Sequence, residues 1–241
     1  MPEIIVCEEH NQVYEIWRER NQRGLTVTHV DFHCDLHGLL IDRRRGRAYI
    51  ANPNETALPP VDPGNYLAHA ILDGTVTSLR WVHDPHGGRR YDVGTVKYES
   101  DLSIVPYRLL HRVRDAREVP VVFEELTFDE WDGVIDGHQL DIDWDALGSK
   151  EYDLSRVRTL MESFLKRTFS AIPETTFVVF SPGYSHSERG LYEEFIERLA
   201  SRFSATISRV PLAVPLPVHD LTTPEHLKIK LVQSLHRLGI Y

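Results

Sequence analysis

Cysteine is scarce: Cys7 and Cys34 are the only two in 241 residues and do not form a Cys-x-x-Cys pair. That leaves no basis for a disulfide framework and points to a reduced, cytoplasmic protein. No apolar run reaches membrane-spanning length, so no membrane partner is expected. The opening Met1-Pro2-Glu3-Ile4 lacks a basic stretch followed by an apolar one, so no secretory signal is expected either. Positive charge is in deficit. Lys and Arg number 27 against 36 Asp and Glu, for a net charge of −9, which argues against nucleic acid and anionic membranes as partners. Repeats and low-complexity tracts are also missing. What remains is an ordinary soluble composition, 41% hydrophobic and 26% charged, long enough for residues 1–241 to be one domain with its own core.

Periodicity places the elements. Glu3–Cys7 is a short apolar strand, and Asn11–Gln22 has helical spacing with Val13, Ile16 and Trp17 on one face. Leu25–Asp31 is a β-branched strand and Arg47–Ala51 a weaker one. Asn52–Gly64 holds four prolines and is a loop, followed by a helix over Gly64–Leu72. Ser78–His83 and Tyr91–Tyr98 flank the turn residues Pro85-His86-Gly87-Gly88, so Ser78–Glu99 is expected to be a hairpin insertion. Pro120–Phe123, Gly137–Ile142 and Thr176–Phe180 are strands. Ser155–Phe169 and Glu188–Phe203 are amphipathic helices, and Thr223-Pro224-Glu225 opens a last one. Strands alternating with helices imply an α/β fold with a mostly parallel sheet, whose ligands bind outside the carboxyl ends of the strands.

Two acidic clusters lie at such ends. Asp31-Phe32-His33-Cys34-Asp35 follows one strand, and Leu140-Asp141-Ile142-Asp143-Trp144-Asp145 closes another. Alternate side chains of an extended segment share a face, so Asp31, His33 and Asp35 can converge, as can Asp141 and Asp143. Oxygen and imidazole donors suit borderline-to-hard divalent cations such as Mn²⁺. Two such cations need shared carboxylates between them, for which Asp31 and Asp141 are the natural choice, and a water they share is acidified to near neutrality. Either cluster alone is equally at home as turn formers and caps. A sixth donor, His10, ends the first strand.

The pattern of an early histidine, then Asp-x-His-x-Asp, then Asp-x-Asp resembles the ureohydrolase superfamily, the arginases and agmatinases with their deacetylase relatives. The resemblance implies an arginase-like three-layer α/β/α fold and two Mn²⁺ per chain. His10, Asp31, Asp35 and Asp141 would hold one ion; Asp31, His33, Asp141 and Asp143 would hold the other. Departures from the family pattern carry information. Glu8-Glu9-His10-Asn11 replaces Gly-Gly-Asp-His-Ser, only nine residues precede His10, and His37 stands where an asparagine grips a free amino acid's carboxylate. With Ser181-Pro182-Gly183-Tyr184 late in the chain, this form resembles the compact peptide arginases. Those enzymes convert arginine to ornithine, releasing urea, within ribosomally made precursor peptides (leader plus core). Such a peptide is the implied partner.

The remaining roles are open on sequence. Glu188 is the positional candidate to orient a guanidinium, with Glu124 and Glu125 as rivals; Glu188 is equally a helix-start carboxylate. Tyr184 matches a carbonyl-polarising tyrosine of the deacetylase relatives or is a turn aromatic. His37 is a candidate proton shuttle or a surface histidine, and His29 is a core or supporting residue. Alternative readings are a deacetylase-like amidohydrolase, an agmatinase-type enzyme on a small guanidine, and a non-catalytic metal-binding module. Oligomeric state is not legible.

Overall fold

The structure is a computed structural model that describes residues 1–36, 39–42, 47–50, 60–84, 117–135, 137–186 and 188–211. His37, the segment Tyr91–Tyr98 and the expected final helix lie outside the described residues.

Seven strands form one parallel sheet. In chain order they are β1 (Glu3–Cys7), β2 (Leu25–Val30), β5 (Val76–His83), β7 (Val122–Thr127), β8 (His138–Asp143), β9 (Thr175–Val179) and β10 (Thr206–Arg209). Their spatial order is β10-β1-β9-β8-β2-β5-β7, every pair parallel. β3 (Leu39–Asp42), β4 (Arg47–Ile50) and β6 (Arg117–Val119) make a separate antiparallel sheet. This is the α/β architecture implied by the sequence pattern, with helices on both sheet faces.

The two faces are built from alternating strand residues. On one, Ile5, Cys7, Val27, Phe177 and Val179 pack with Val13 and Trp17 of α1 (Asn11–Glu19) and with Leu67 and Ile71 of α2 (Tyr66–Leu72). On the other, Ile4, Val6, Leu140, Ile142 and Val178 pack with α4 (Leu154–Lys166) and α5 (Arg189–Phe203). α4 starts at Asp153, whose side chain accepts from the Arg156 N–H at 2.8 Å, an N-cap that satisfies an orphan donor. β9 is buried along its whole length, as a central parallel strand must be, with Thr175 and Thr176 opening it and Phe177-Val178-Val179 closing it. Among the described residues, no helix is long and apolar enough to cross a membrane.

One expectation is corrected. Ser78–His83 is not an arm of an edge hairpin. It belongs to β5, inside the sheet between β2 and β7, because Leu79, Trp81 and Val82 bury apolar side chains on both faces.

Between Asp143 and Asp145, Trp144 turns to the opposite face and packs on Tyr192 and Phe195 with ring centroids 5.7 and 5.4 Å away. It pins the end of β8 and the start of α3 (Asp145–Gly148). Gly148 lies against that indole so closely that an added Cβ would overlap it. Gly148→Ala is therefore expected to destabilise the protein by about 2 kcal/mol through overpacking, read as a lowered denaturation midpoint. An unchanged midpoint would contradict this packing.

Candidate metal centre

β2 and β8 run side by side in parallel, with His29 opposite Asp141 and Val30 opposite Ile142. Their carboxyl ends therefore deliver both acidic segments to one place. His10 comes from the junction of β1 and α1, on the far side of β9. The backbone then departs from the expected extended path. β2 ends at Val30, the chain bends over Phe32 and His33, and Asp35 takes a left-handed conformation with φ 53°, one that Asp tolerates better than most residues. Convergence of Asp31, His33 and Asp35 thus comes from a bend rather than from strand alternation. Trp81 Nε1 donates to the Asp31 carbonyl at 3.0 Å and the His33 N–H to Asp31 Oδ1 at 2.7 Å, which hold the bend. On the other segment, the Asp145 N–H donates to Asp143 Oδ1 at 3.1 Å and Ser181 Oγ to Asp143 Oδ2 at 2.7 Å. Ser181 is itself left-handed, with φ 49°.

The side chains meet in two overlapping groups. His10 Nδ1 lies 2.9 Å from Asp35 Oδ2, 3.4 Å from Asp143 Oδ2 and 3.8 Å from Asp31 Oδ2. His33 Nδ1 lies 3.2 Å from Asp145 Oδ2 and 3.8 Å from Asp31 Oδ1. Asp31 belongs to both groups. Deeper, His29 Nδ1 is 3.1 Å from Asp141 Oδ2 and its Nε2 is 3.0 Å from Asp31 Oδ2. Asp31, Asp35, Asp141, Asp143 and Asp145 are all buried. Buried atoms without a hydrogen-bond partner include Asp31 Oδ2, Asp35 Oδ2, Asp141 Oδ1 and the Nε2 atoms of His10 and His29. Leaving such atoms unpaired is costly. Converging oxygens and imidazole nitrogens in this state are the donor set of a divalent cation site, so the residues fit a metal.

Of the six expected ligands, five take part in the two groups: His10, Asp31, His33, Asp35 and Asp143. Asp141 stands one step deeper along β8. Its Oδ2 accepts from the Tyr66 hydroxyl and adjoins His29, and it clusters with His10 and His29 rather than with His33. Asp145 occupies the place beside His33 that the sequence reading gave to Asp143. The two-residue spacing beyond Asp143 could have flagged Asp145; His29, two residues before Asp31, was expected as a core or supporting residue. Nothing in the sequence pointed to Tyr66.

The other candidates separate. Tyr184 packs edge-on against the His33 ring at 5.1 Å and is about half exposed, at the rim of the cluster. Glu188 is exposed at the start of α5, without a hydrogen bond or ion pair to the cluster among the described residues. Glu124 pairs with Arg80 at 2.6 Å and Glu125 with His83 at 3.0 Å. A carboxylate not singled out before, Glu9, is half-buried next to His10; burial raises its pKa, and His10 partly offsets the rise.

Electrostatics bind these groups together. Burial opposes charge on His10, yet Asp143 and Asp35 win and push its pKa from 6.5 up to about 10. His33 is likewise pushed up to about 9: burial opposes, but Asp145 prevails. Burial and neighbouring carboxylates hold Asp31 and Asp143 well above the ordinary 3.8. Each of these groups binds its proton more tightly folded than unfolded. The histidines' contribution is full below pH 6.5 and is lost as pH rises through about 9 and about 10; the two carboxyls lose theirs as pH rises from 3.8. The cation-free protein is therefore expected to melt at progressively lower temperature as pH rises from 6.5 to about 10. Saturating Mn²⁺ should reverse the trend, because deprotonated ligands bind it better. Thermal denaturation with chelator and with Mn²⁺ checks this; a chelated midpoint that rises with pH would contradict it.

No protein-family model and no curated protein matches the sequence. Among solved structures, the chain is similar to a proclavaminate amidino hydrolase from Streptomyces clavuligerus, with a TM-score of 0.41 and 13% identity. The similarity covers 83% of this chain but spans only 61% of that protein's length.

Proposed function

We propose that this chain is a divalent-metal hydrolase acting on the guanidinium group of arginine within a peptide, releasing urea and leaving ornithine. The observation that carries the reading is the buried donor cluster at the carboxyl ends of β2 and β8. There, unpartnered oxygens of Asp31 and Asp35 face His10 from across β9. We assign His10, Asp31, Asp35 and Asp143 to one cation and Asp31, His33, Asp143 and Asp145 to the other. Asp31 and Asp143 are shared, and Mn²⁺ suits the donors. This places the second shared carboxylate at Asp143, where the sequence pattern had put it at Asp141.

The chemistry supplied by two bound divalent cations is Lewis-acid polarisation and an acidified water. The chain's own part is orientation. We place Glu9, half-buried next to His10 in the chain, as the carboxylate to meet the substrate guanidinium. Tyr184 at the rim borders the entrance to His33. Substitutions in the family pattern that grips a free amino acid's carboxylate favour an arginine whose backbone is in amide linkage, because unpaired backbone charges would be costly to desolvate. A second reading draws on Tyr184. A deacetylase-like amidohydrolase would use that hydroxyl to polarise a carbonyl and would hold one cation.

Asp31→Ala and Asp143→Ala are expected to lose both ions, whereas Asp145→Ala should weaken mainly one. Metal analysis of the purified variants decides, and two ions retained in Asp143→Ala would refute the shared assignment. One ion in the unmodified protein would favour the deacetylase-like reading. Glu9→Gln removes a charge-assisted hydrogen bond of about 1.5–3 kcal/mol and should lower kcat/KM roughly 10–100-fold while ion content holds. The substrate is tested by letting free arginine compete with an arginine-containing precursor peptide at equal concentration. Ornithine should form in the peptide, and preferential hydrolysis of free arginine would sink the peptide reading.

A further inference from the structure

Beneath the cluster lies a chain of three side chains with no solvent access: Tyr66 from α2, Asp141 from β8 and His29 from β2. His29 and Asp141 are register partners on neighbouring strands, so the sheet itself sets their separation. His29 Nδ1 lies 3.1 Å from Asp141 Oδ2. The Tyr66 hydroxyl donates to that same oxygen and is 3.3 Å from His29 Nδ1. The other edge of the imidazole faces the ion cluster, with Nε2 3.0 Å from Asp31 Oδ2 and 3.8 Å from Asp35 Oδ2. Tyr66 reaches the cluster a second way. Its ring stacks on His10, centroids 4.9 Å apart and planes 9° from parallel.

Apolar side chains of similar size would fill this floor at lower cost than a buried phenol, carboxylate and imidazole. The three polar groups touch three of the side chains assigned to one cation: His10 through the stacked ring, and Asp31 and Asp35 through His29. Each carboxylate also keeps one oxygen without a hydrogen-bond partner; Asp31 is held through its other oxygen by the His33 N–H, which leaves Oδ2 for an ion. Buried groups that aim ligands in this way govern metal affinity without binding the metal themselves.

We propose that Tyr66, Asp141 and His29 are positioning residues, an array that orients His10, Asp31 and Asp35 for cation binding. This rests on the metal-centre reading above. Asp141 serves as the anchor of the array: its Oδ2 is engaged by the Tyr66 hydroxyl and adjoins His29. Tyr66→Phe keeps the ring stacked on His10 and deletes only the hydroxyl, so it probes the array with the least disturbance of packing.

The test is Mn²⁺ titration by calorimetry of the full chain, stripped with chelator, for the unmodified protein, Tyr66→Phe and His29→Asn. Tyr66→Phe should weaken binding of the ion held by His10 about tenfold, and His29→Asn about 100-fold, the range seen when groups supporting metal ligands are removed. Nitrogen couplings in the pulsed electron-spin spectrum of bound Mn²⁺ should be the same in His29→Asn as in the unmodified protein, because His29 is not a ligand. Unchanged affinity in a folded Tyr66→Phe overturns the proposal, and decides alone if His29→Asn does not fold. Loss of one coupled nitrogen in His29→Asn also overturns it, by making His29 a direct donor. An unmodified protein that binds no Mn²⁺ at all would instead bring down the metal-centre reading, a result distinct from equal binding by protein and variants.

Discussion

Mutual repulsion among buried carboxylates is the constraint on which the rest of the structure depends. Asp31, Asp35, Asp141, Asp143 and Asp145 are withdrawn from water together. In a low-dielectric interior such a group is tolerated only when cations or protons sit among its members. The three histidines His10, His29 and His33 reach into it from three directions, and their spacing answers that demand. The sheet is what makes the arrangement possible. Parallel pairing brings the carboxyl ends of β2 and β8 to one level, while the opposite ends of the strands carry none of the cluster.

Around this charged centre the apolar core works as a clamp. Trp144 is driven into the α4–α5 side by its own burial, so the flanking Asp143 and Asp145 are left on the other side of the chain. Trp81 holds the Asp31 carbonyl from β5. Hydrophobic packing therefore sets the directions of polar side chains that repel one another, and the left-handed turns at Asp35 and Ser181 are where the backbone yields to that demand.

The sequence carried the elements that rest on periodicity and strong apolar runs. α1, α4 and α5 have regular apolar faces, and β9 is made of β-branched and aromatic residues. β3, β6 and β10 were not legible, and β4 only as a weak strand, since three or four residues offer too little to show a period. β5 was read as a hairpin arm because turn residues follow it; local turn chemistry says nothing about which distant strand a segment will pair with. The acidic clusters were visible as clusters. Which carboxylate meets which histidine was not, because alternation gives a face but no depth along the strand. Asp141 and Asp143 share a face, yet only their height relative to the end of β2 separates a residue beside His29 from one beside His10. Tyr66 was hidden for a different reason: it arrives from a helix 75 residues away from Asp141.

The position of β9 bears on how the molecule is made. β1 and β8 are not neighbours; β9 lies between them and hydrogen-bonds to both, although it is the last of the three in the chain. During synthesis from the amino end, His10, Asp31 and Asp143 are all present before Thr175–Val179 has emerged, but the gap between β1 and β8 has no strand to fill it. His10 joins the cluster only when that late segment inserts, whereas Asp31, His33, Asp143 and Asp145 come from the adjoining ends of β2 and β8. A cation held through His10 therefore reports that the central strands have finished pairing. Such a long-range closure is the slow kind of step in folding a parallel sheet.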